Sequence, residues 1–166
     1  KGYLEIFKES QNRARSMALI HERLYQGGDL KRIDFGDYIK TLARELFNTY
    51  IKEPGRIDLK IDVKDLMLDT DIAVPLGLVV NELICNSLKH AFPDDKTVKI
   101  TITLDDDHGK HILIVSDDGV GLPPDMDYTR TKSLGLQLVH ALTSQIDGKV
   151  EINGTEGTTF KITFSH

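Results

Sequence analysis

The stretch from Leu76 to Pro93 constrains this chain more than any other. Between Pro75 and Pro93, Leu76, Val79, Val80, Leu83, Ile84, Ser87, Leu88 and Ala91 recur at steps of three and four. That spacing predicts a helix with one buried stripe. The opposite stripe carries Glu82, Asn86, Lys89 and His90, with Asn81 at its margin. Residues three and four apart share a helix face, so these four project into the same space. A carboxylate, a carboxamide, an ammonium and an imidazole together suit a Mg²⁺–polyphosphate site. The Asn86 oxygen is a hard ligand for Mg²⁺. Lys89 is a point charge for phosphate, and Glu82 is placed to orient or deprotonate a nucleophile. The same face also reads as solvated surface with two salt-bridge candidates, and the segment alone leaves both readings open.

The length of 166 residues allows one domain with a proper core plus an appendage. A net charge of −5 argues against a nucleic-acid or anionic-membrane surface. Cys85 is the single cysteine, which excludes an internal disulfide and any cysteine-based zinc spacing. No apolar run approaches the roughly 20 residues of a membrane span, and no signal peptide opens the chain. Cytoplasmic location is the expectation, with no direct membrane contact. The start at Lys1, already inside a helical pattern, suggests a fragment of something longer.

Taken in order, residues 3–26 predict one long helix. Leu4, Phe7, Ala14, Ala18, His21 and Tyr25 form one stripe, and Tyr3, Ile6, Met17, Ile20 and Leu24 an adjacent one. So broad an apolar face predicts packing against a partner helix. Gln26-Gly27-Gly28 ends it, and a boundary is expected near 27–33. A second helix is expected over 35–51, with Phe35, Ile39, Leu42, Leu46 and Tyr50 inward. Alternation predicts a strand over Ile57–Val63 and another over Val98–Leu104. Asp71 and Pro75 are start signals for the central helix. Asp105–Gly109 reads as a turn and His111–Ser116 as a buried strand. A helix over 134–146 closed by Gly148 follows, then a hairpin of strands near 149–153 and 158–164. The pattern is α+β: helices on one face of a mostly antiparallel sheet.

Three more stretches carry possible chemistry. Ser116-Asp117-Asp118-Gly119-Val120-Gly121 follows a buried strand. A carboxylate there can accept from the exocyclic amine of adenine, and glycines admit a flat ring; a tight Asp-Gly turn is the plain alternative. Ser133-Leu134-Gly135-Leu136 opens a helix whose free N–H groups could meet phosphate, or Ser133 is simply its cap. Between them, Leu122–Lys132 is either a lid, with Arg130 and Lys132 for phosphates, or a surface loop. Gly154–Phe160 turns into the last strand, with Thr158 or Thr159 beside a base or in a plain hairpin.

In their order, Asn-Glu-Leu-x-x-Asn-Ser-x-Lys-His-Ala-Phe (81–92), Asp-Asp-Gly-Val-Gly-Leu-Pro (117–123), Ser-Leu-Gly-Leu-Gln-Leu-Val (133–139) and Gly-Thr-Thr-Phe (157–160) resemble the N, G1 and G2 boxes and final strand motif of sensor histidine kinases. The resemblance covers about residues 31–166 and implies a two-layer α/β sandwich, the Bergerat ATP-binding fold shared by the gyrase, Hsp90, histidine kinase and MutL superfamily. Ser16–Tyr25 resembles the helix before the catalytic domain in the HisKA_2-type subfamily. Residues 1–30 would then be the second helix of a dimerisation and phosphotransfer hairpin, and 31–166 the ATP-binding catalytic domain.

The resemblance implies ATP and Mg²⁺ as cofactors, with Asn86 the Mg²⁺ ligand, Glu82 the acid/base, and Lys89 and His90 on the phosphate side. Asp117 would accept the adenine amine, Gly119 and Gly121 would shape the base pocket, Gly135 would bring a helix start to the phosphates, and Thr158 would serve the final motif. Phosphoryl transfer needs positioning and charge neutralisation, which this set supplies. The implied partners are a response-regulator receiver domain and, in the full-length protein, a second copy. Ser133 departs from the family's first glycine in the G2 box. The acceptor histidine is expected upstream of this chain, because His21 has no nearby Pro and lies on the apolar stripe. A serine kinase of the anti-sigma type, an ATPase, or a degenerate binding scaffold are the alternatives.

Overall fold

The computed structural model describes residues 32–50, 57–90, 98–119, 134–154 and 157–165, with the backbone alone at Thr49, Tyr50, Lys89, His90, Val98 and Leu134. It also describes Phe7, Ser10, Gln11, Ala14, Arg15, Met17, Ala18 and Glu22, all helical. These eight agree with the helix expected over 3–26; the rest of that helix, its Gly27-Gly28 stop, and the 122–132 segment lie outside the described residues.

The elements run β1 (Arg32–Asp34), α1 (Phe35–Tyr50), β2 (Ile57–Val63), β3 (Met67–Asp69), α2 (Thr70–His90), β4 (Val98–Asp107), β5 (Lys110–Asp117), α3 (Leu134–Gln145), β6 (Lys149–Asn153) and β7 (Thr158–Phe164). Five strands form a sheet in the order β2-β4-β5-β7-β6, and β1 pairs with β3 apart from it. The β2–β4 pair is parallel and the other pairs are antiparallel. A parallel pair needs a long crossover, and here the crossover contains α2. The three helices cover one face, α1 over β2, α2 over β5 and α3 over β6. Inward rows from Ile100, Ile102 and Leu104, Leu113 and Val115, and Phe160, Ile162 and Phe164 fill the layer between. This is the expected α+β sandwich.

Sequence periodicity misses β1 and β3. Each has three residues and a single buried side chain, Ile33 or Leu68, so no alternation exists to detect. At α1, Asp34 caps the helix: its Oδ1 accepts from the Asp37 amide at 3.2 Å. Asp105–Asp107, expected in a turn, belong instead to β4. The strands continue to an Asp107↔Lys110 rung, leaving His108-Gly109 as a two-residue turn with φ of 49° and 83°. Two positive φ values give the twist that matches a hairpin. At the end of α3 the left-handed residue is Asp147 (φ 55°), not Gly148. The Gly148 amide reaches the Thr143 carbonyl at 2.9 Å and the Asp147 amide reaches that of Ser144 at 3.0 Å, a Schellman closure. Gly148 sits in a close space, where a Cβ would lie 3.0 Å from the Thr163 carbonyl oxygen.

The central helix also departs from expectation. It begins at Thr70, with Asp71 in its first turn, and Pro75 lies inside rather than at the start. Every residue from Val79 to Cys85 is buried, including Asn81 (1% exposed) and Glu82 (6%). The predicted polar stripe is therefore not solvated at those two positions, because α2 is enclosed by α1, α3 and the sheet. By length and hydropathy alone Thr70–Leu88 could cross a membrane, but 72% of that window is buried, as in a core helix.

Candidate functional site

Asp117 and Thr158 continue the inward rows of β5 and β7. Val115 faces Phe160 in the ladder, and the next inward pair is Asp117 and Thr158. Apolar packing thus ends in a carboxylate and a hydroxyl residue, both buried, at 7% and 9% exposure. A buried carboxylate demands donors. Asp117 has the Gly119 amide on its Oδ1 at 3.0 Å, the Ser87 side chain from α2 and the Thr158 amide from β7. Burial pushes its carboxyl above the usual range; those hydrogen bonds pull it back, and the neighbouring Asp118 charge adds to the upward push. Among the described residues these contacts leave part of a carboxylate with about four lone-pair sites open to a further donor.

Asp118 is engaged elsewhere. Its Oδ1 accepts from the Lys99 amide at 2.6 Å and its own amide donates to the Lys99 carbonyl at 3.1 Å, which ties the strand end to β4. Of the two adjacent aspartates, only Asp117 faces inward.

Gly157 closes one side of the group. Its φ is +75°, and a Cβ there would sit 2.1 Å from the Asp117 carbonyl oxygen. Only a glycine lets the turn before β7 pass this close to the end of β5. Sequence reading quoted Gly157 and Ser87 within motifs but gave neither a part in the site. A polar residue on an otherwise apolar stripe, directly after Asn86, was the available signal for Ser87.

Along α2, Glu82 and Asn86 are one turn apart on a shared face. Asn86 is half-buried. Glu82 lines a cavity of about 280 Å³ together with Leu78, Leu138 and Leu142, and with Ala14 and Met17 from the N-terminal helix. Lys89 and His90 form the last residues of α2, and their side chains lie outside the described residues. Gly121, Arg130, Lys132 and Ser133 also lie outside them. Leu134 is the first residue of α3, Gly135 is half-buried behind it, and the Leu136 side chain belongs to the core. The fold therefore brings Asp117, Gly119 and Thr158 together. Among the described residues no cluster of His, Cys, Asp or Glu could by itself hold a metal. A Mg²⁺ ion here would depend on Asn86 and the oxygens of a polyphosphate, which suits a cation that keeps several waters.

Comparison with known proteins gives the family and the fold. Residues 71–166 match the family described as histidine kinase-, DNA gyrase B-, and HSP90-like ATPase, and residues 1–50 match the HisKA_2 histidine kinase family. The chain is 31% identical over 150 residues to the sensor histidine kinase PdtaS of Mycobacterium tuberculosis, covering 88% of this chain and 29% of that protein. It is 26% identical over 158 residues to blue-light-activated histidine kinase 2 of Erythrobacter litoralis, covering 92% and 44%. This chain thus spans under a third of the mycobacterial relative. Among solved structures, the histidine kinase domain of the Erythrobacter litoralis EL346 blue-light activated histidine kinase superposes with a TM-score of 0.87 at 23% identity, over 95% of this chain and 79% of that one. The Acinetobacter baumannii histidine kinase AdeS gives 0.68 at 18%, over 98% and 79%. At such identities the superpositions establish the fold.

Proposed function

Since this chain belongs to the histidine kinase-, DNA gyrase B-, and HSP90-like ATPase family, we propose that it is the ATP- and Mg²⁺-binding catalytic part of a sensor histidine kinase. The observation that carries this reading is Asp117: a buried carboxylate at the end of a core row, supplied with donors and in part open to a further one. An adenine amine is a donor of the right kind for that opening. The Gly119 bend and the close pass of Gly157 keep the base side free of bulk.

On the phosphate side, Asn86 holds Mg²⁺, with Lys89, His90, Arg130 and Lys132 as cationic or donor contacts. Gly121 completes the base loop, and Ser133, Leu134, Gly135 and Leu136 bring the amides of the α3 start to phosphate. Bound Mg²⁺ supplies charge neutralisation for the γ-phosphoryl group. Glu82, one turn before Asn86, orients the attacking histidine or takes its proton. We assign the acceptor to a histidine on the other helix of the hairpin to which residues 1–30 belong, with residues 31–166 as the catalytic domain. A response-regulator aspartate receives the phosphoryl group next, the full-length protein acts as a homodimer, and the catalytic part works in the cytoplasm.

The test is incubation with labelled ATP and Mg²⁺, mass-spectrometric mapping of bound phosphate, and nucleotide affinity on the same sample. ATP binding without covalent phosphate is the expected result for this chain alone. Acid-labile phosphate on His21 would make the chain a complete phosphotransfer unit, and acid-stable phosphoserine would make it a serine kinase. Absence of ATP binding would overturn the kinase reading.

A further inference from the structure

Ile100 and Asp117 form the last rung of the β4–β5 ladder, and the next pair in that register is Lys99 with Asp118. A hydrogen-bonded antiparallel rung exchanges two main-chain bonds between its residues. Here the main chain makes one of them, from the Asp118 amide to the Lys99 carbonyl at 3.1 Å. The Lys99 amide donates instead to Oδ1 of the Asp118 side chain, at 2.6 Å. A carboxylate thus stands in for the carbonyl of its own residue. With that carbonyl released from the ladder, the chain turns off the sheet, and the next amide, that of Gly119, comes back to Asp117 Oδ1 at 3.0 Å. The turn before β7 lies against the same point, since a Cβ at Gly157 would sit 2.9 Å from the Asp118 Cα.

We propose that Asp118 is a positioning residue: its carboxylate completes the last rung in place of the main chain, which turns the Gly119 amide onto Asp117 and so aims the carboxylate that meets the base. The base half of this proposal rests on the nucleotide reading above; the clasp at the strand end does not. A short amide-to-carboxylate bond is of the strong, charge-assisted kind. Asp118 is exposed, so its charge stays hydrated and its replacement opens no cavity. Without the side-chain acceptor, a regular rung supplies the alternative, and the Lys99 amide takes the Asp118 carbonyl. That straightens the chain where Gly119 has to bend, and draws the Gly119 amide away from Asp117. Asp117 then loses a fixed donor and its orientation toward an adenine amine, while the contacts assigned to phosphate on α2 and α3 are untouched. The two adjacent aspartates divide the work: one receives the base, and the other closes the strand behind it.

The experiment compares Asp118→Ala, Asp118→Asn and Asp118→Glu with the unaltered 166-residue chain, folding being checked by thermal melting. Asn keeps an oxygen acceptor at the same reach without the charge. Glu keeps the charge but sets its acceptor one methylene further out. Two readouts are taken: hydrogen exchange of the Gly119 amide by NMR without nucleotide, and the affinity of Mg²⁺-ATP relative to Mg²⁺-inosine triphosphate. The inosine base carries a carbonyl where adenine has its amine. In the Ala and Glu variants the Gly119 amide should exchange about tenfold faster. The preference for ATP over inosine triphosphate should fall by about tenfold, with binding of the inosine nucleotide unchanged. Asp118→Asn should retain both; if Ala unfolds the chain, Glu decides. A Gly119 amide unmoved in the Ala and Glu variants overturns the proposal, whatever ATP does. A moved amide with an unchanged preference between the two nucleotides overturns it as well, leaving Asp118 a purely structural residue. Loss of both in Asp118→Asn would assign the effect to charge and overturn the acceptor role. If the amide moves as expected but the unaltered chain binds neither nucleotide, the clasp stands and the base half falls with the nucleotide reading.

Discussion

Asp117 and Thr158 stand opposite one another on β5 and β7, and the Thr158 amide donates to the Asp117 carboxylate. Strand pairing and the placement of a buried carboxylate thus share one rung. The carboxylate is held by the ladder that folds the sheet, and its sequence partner lies 41 positions away (158 − 117).

Burial makes the Asp117 charge costly, and this separates stability from binding. Its folded carboxyl is raised above the unfolded-chain value of about 3.9. The folded state then holds more protons than the unfolded one, so this group's stabilising contribution is full below that value. It is lost as pH rises through the folded value. Asp117→Asn removes the cost and should leave the nucleotide-free melting temperature at neutral pH unchanged or higher. The same substitution should weaken Mg²⁺-ATP binding by about 1.5–3 kcal/mol, one hydrogen bond to a charged group. Calorimetric titration beside thermal melting checks both; a fall in both would make Asp117 a structural residue only.

Gly157 and Gly109 both have positive φ, but only Gly157 has a backbone neighbour in the way. Gly109→Ala should cost about 1 kcal/mol, the price of left-handed backbone alone. Gly157→Ala should cost at least about 2 kcal/mol and should also weaken nucleotide binding, since the turn must move off Asp117. Chemical denaturation of the pair measures the difference. Equal costs would mean that the close approach relaxes easily.

Asn86 is half-buried on a helix whose neighbouring turn is fully buried. Asn86→Ala should keep the melting temperature within a few degrees, as for a surface-side substitution of about 0.5 kcal/mol or less. The part of ATP affinity that depends on Mg²⁺ should disappear. Titration with and without Mg²⁺ reads this directly, and loss of folding would instead assign that helix face to packing.

The hydroxyl oxygen of Thr143 is buried without a hydrogen-bond partner among the described residues. Thr143→Val keeps the shape against Gly148 and removes the unpaired group, so it should stabilise the chain by about 1 kcal/mol. A destabilised variant would point to a bound water at that hydroxyl.

Much of the architecture was legible because it rests on periodicity. Alternation marked β2 and β4, and the 3.6-residue pattern marked α1 through α3. The direction of the β2–β4 pair was not read, because the long connection through α2 allows a crossover but does not require one. The polar Asp105–Asp107 looked like a turn because composition masks strand there. For the site, motif order located Asp117 and Thr158 in sequence, but their meeting is a matter of register between distant strands. Glu82 was placed on a polar face that read equally as a site or as solvated surface, because a single helix pattern cannot reveal that three elements enclose it. Ser87 read as stripe filler for the same reason: its partner lies 30 positions away (117 − 87) on a strand.

The small β1–β3 ladder has a mechanical consequence. Its rungs pair Arg32 with Asp69, Ile33 with Leu68 and Asp34 with Met67, and α2 begins at the very next residue, Thr70. Tension arriving at Arg32 is therefore shared between those rungs and the first turn of a rod about 24 Å long, at 1.5 Å per residue, that ends at Asn86. A stiff rod passes a pull or a twist along its length with little loss. The first strand of the sandwich is thus clamped to the same rod on which Asn86 rides.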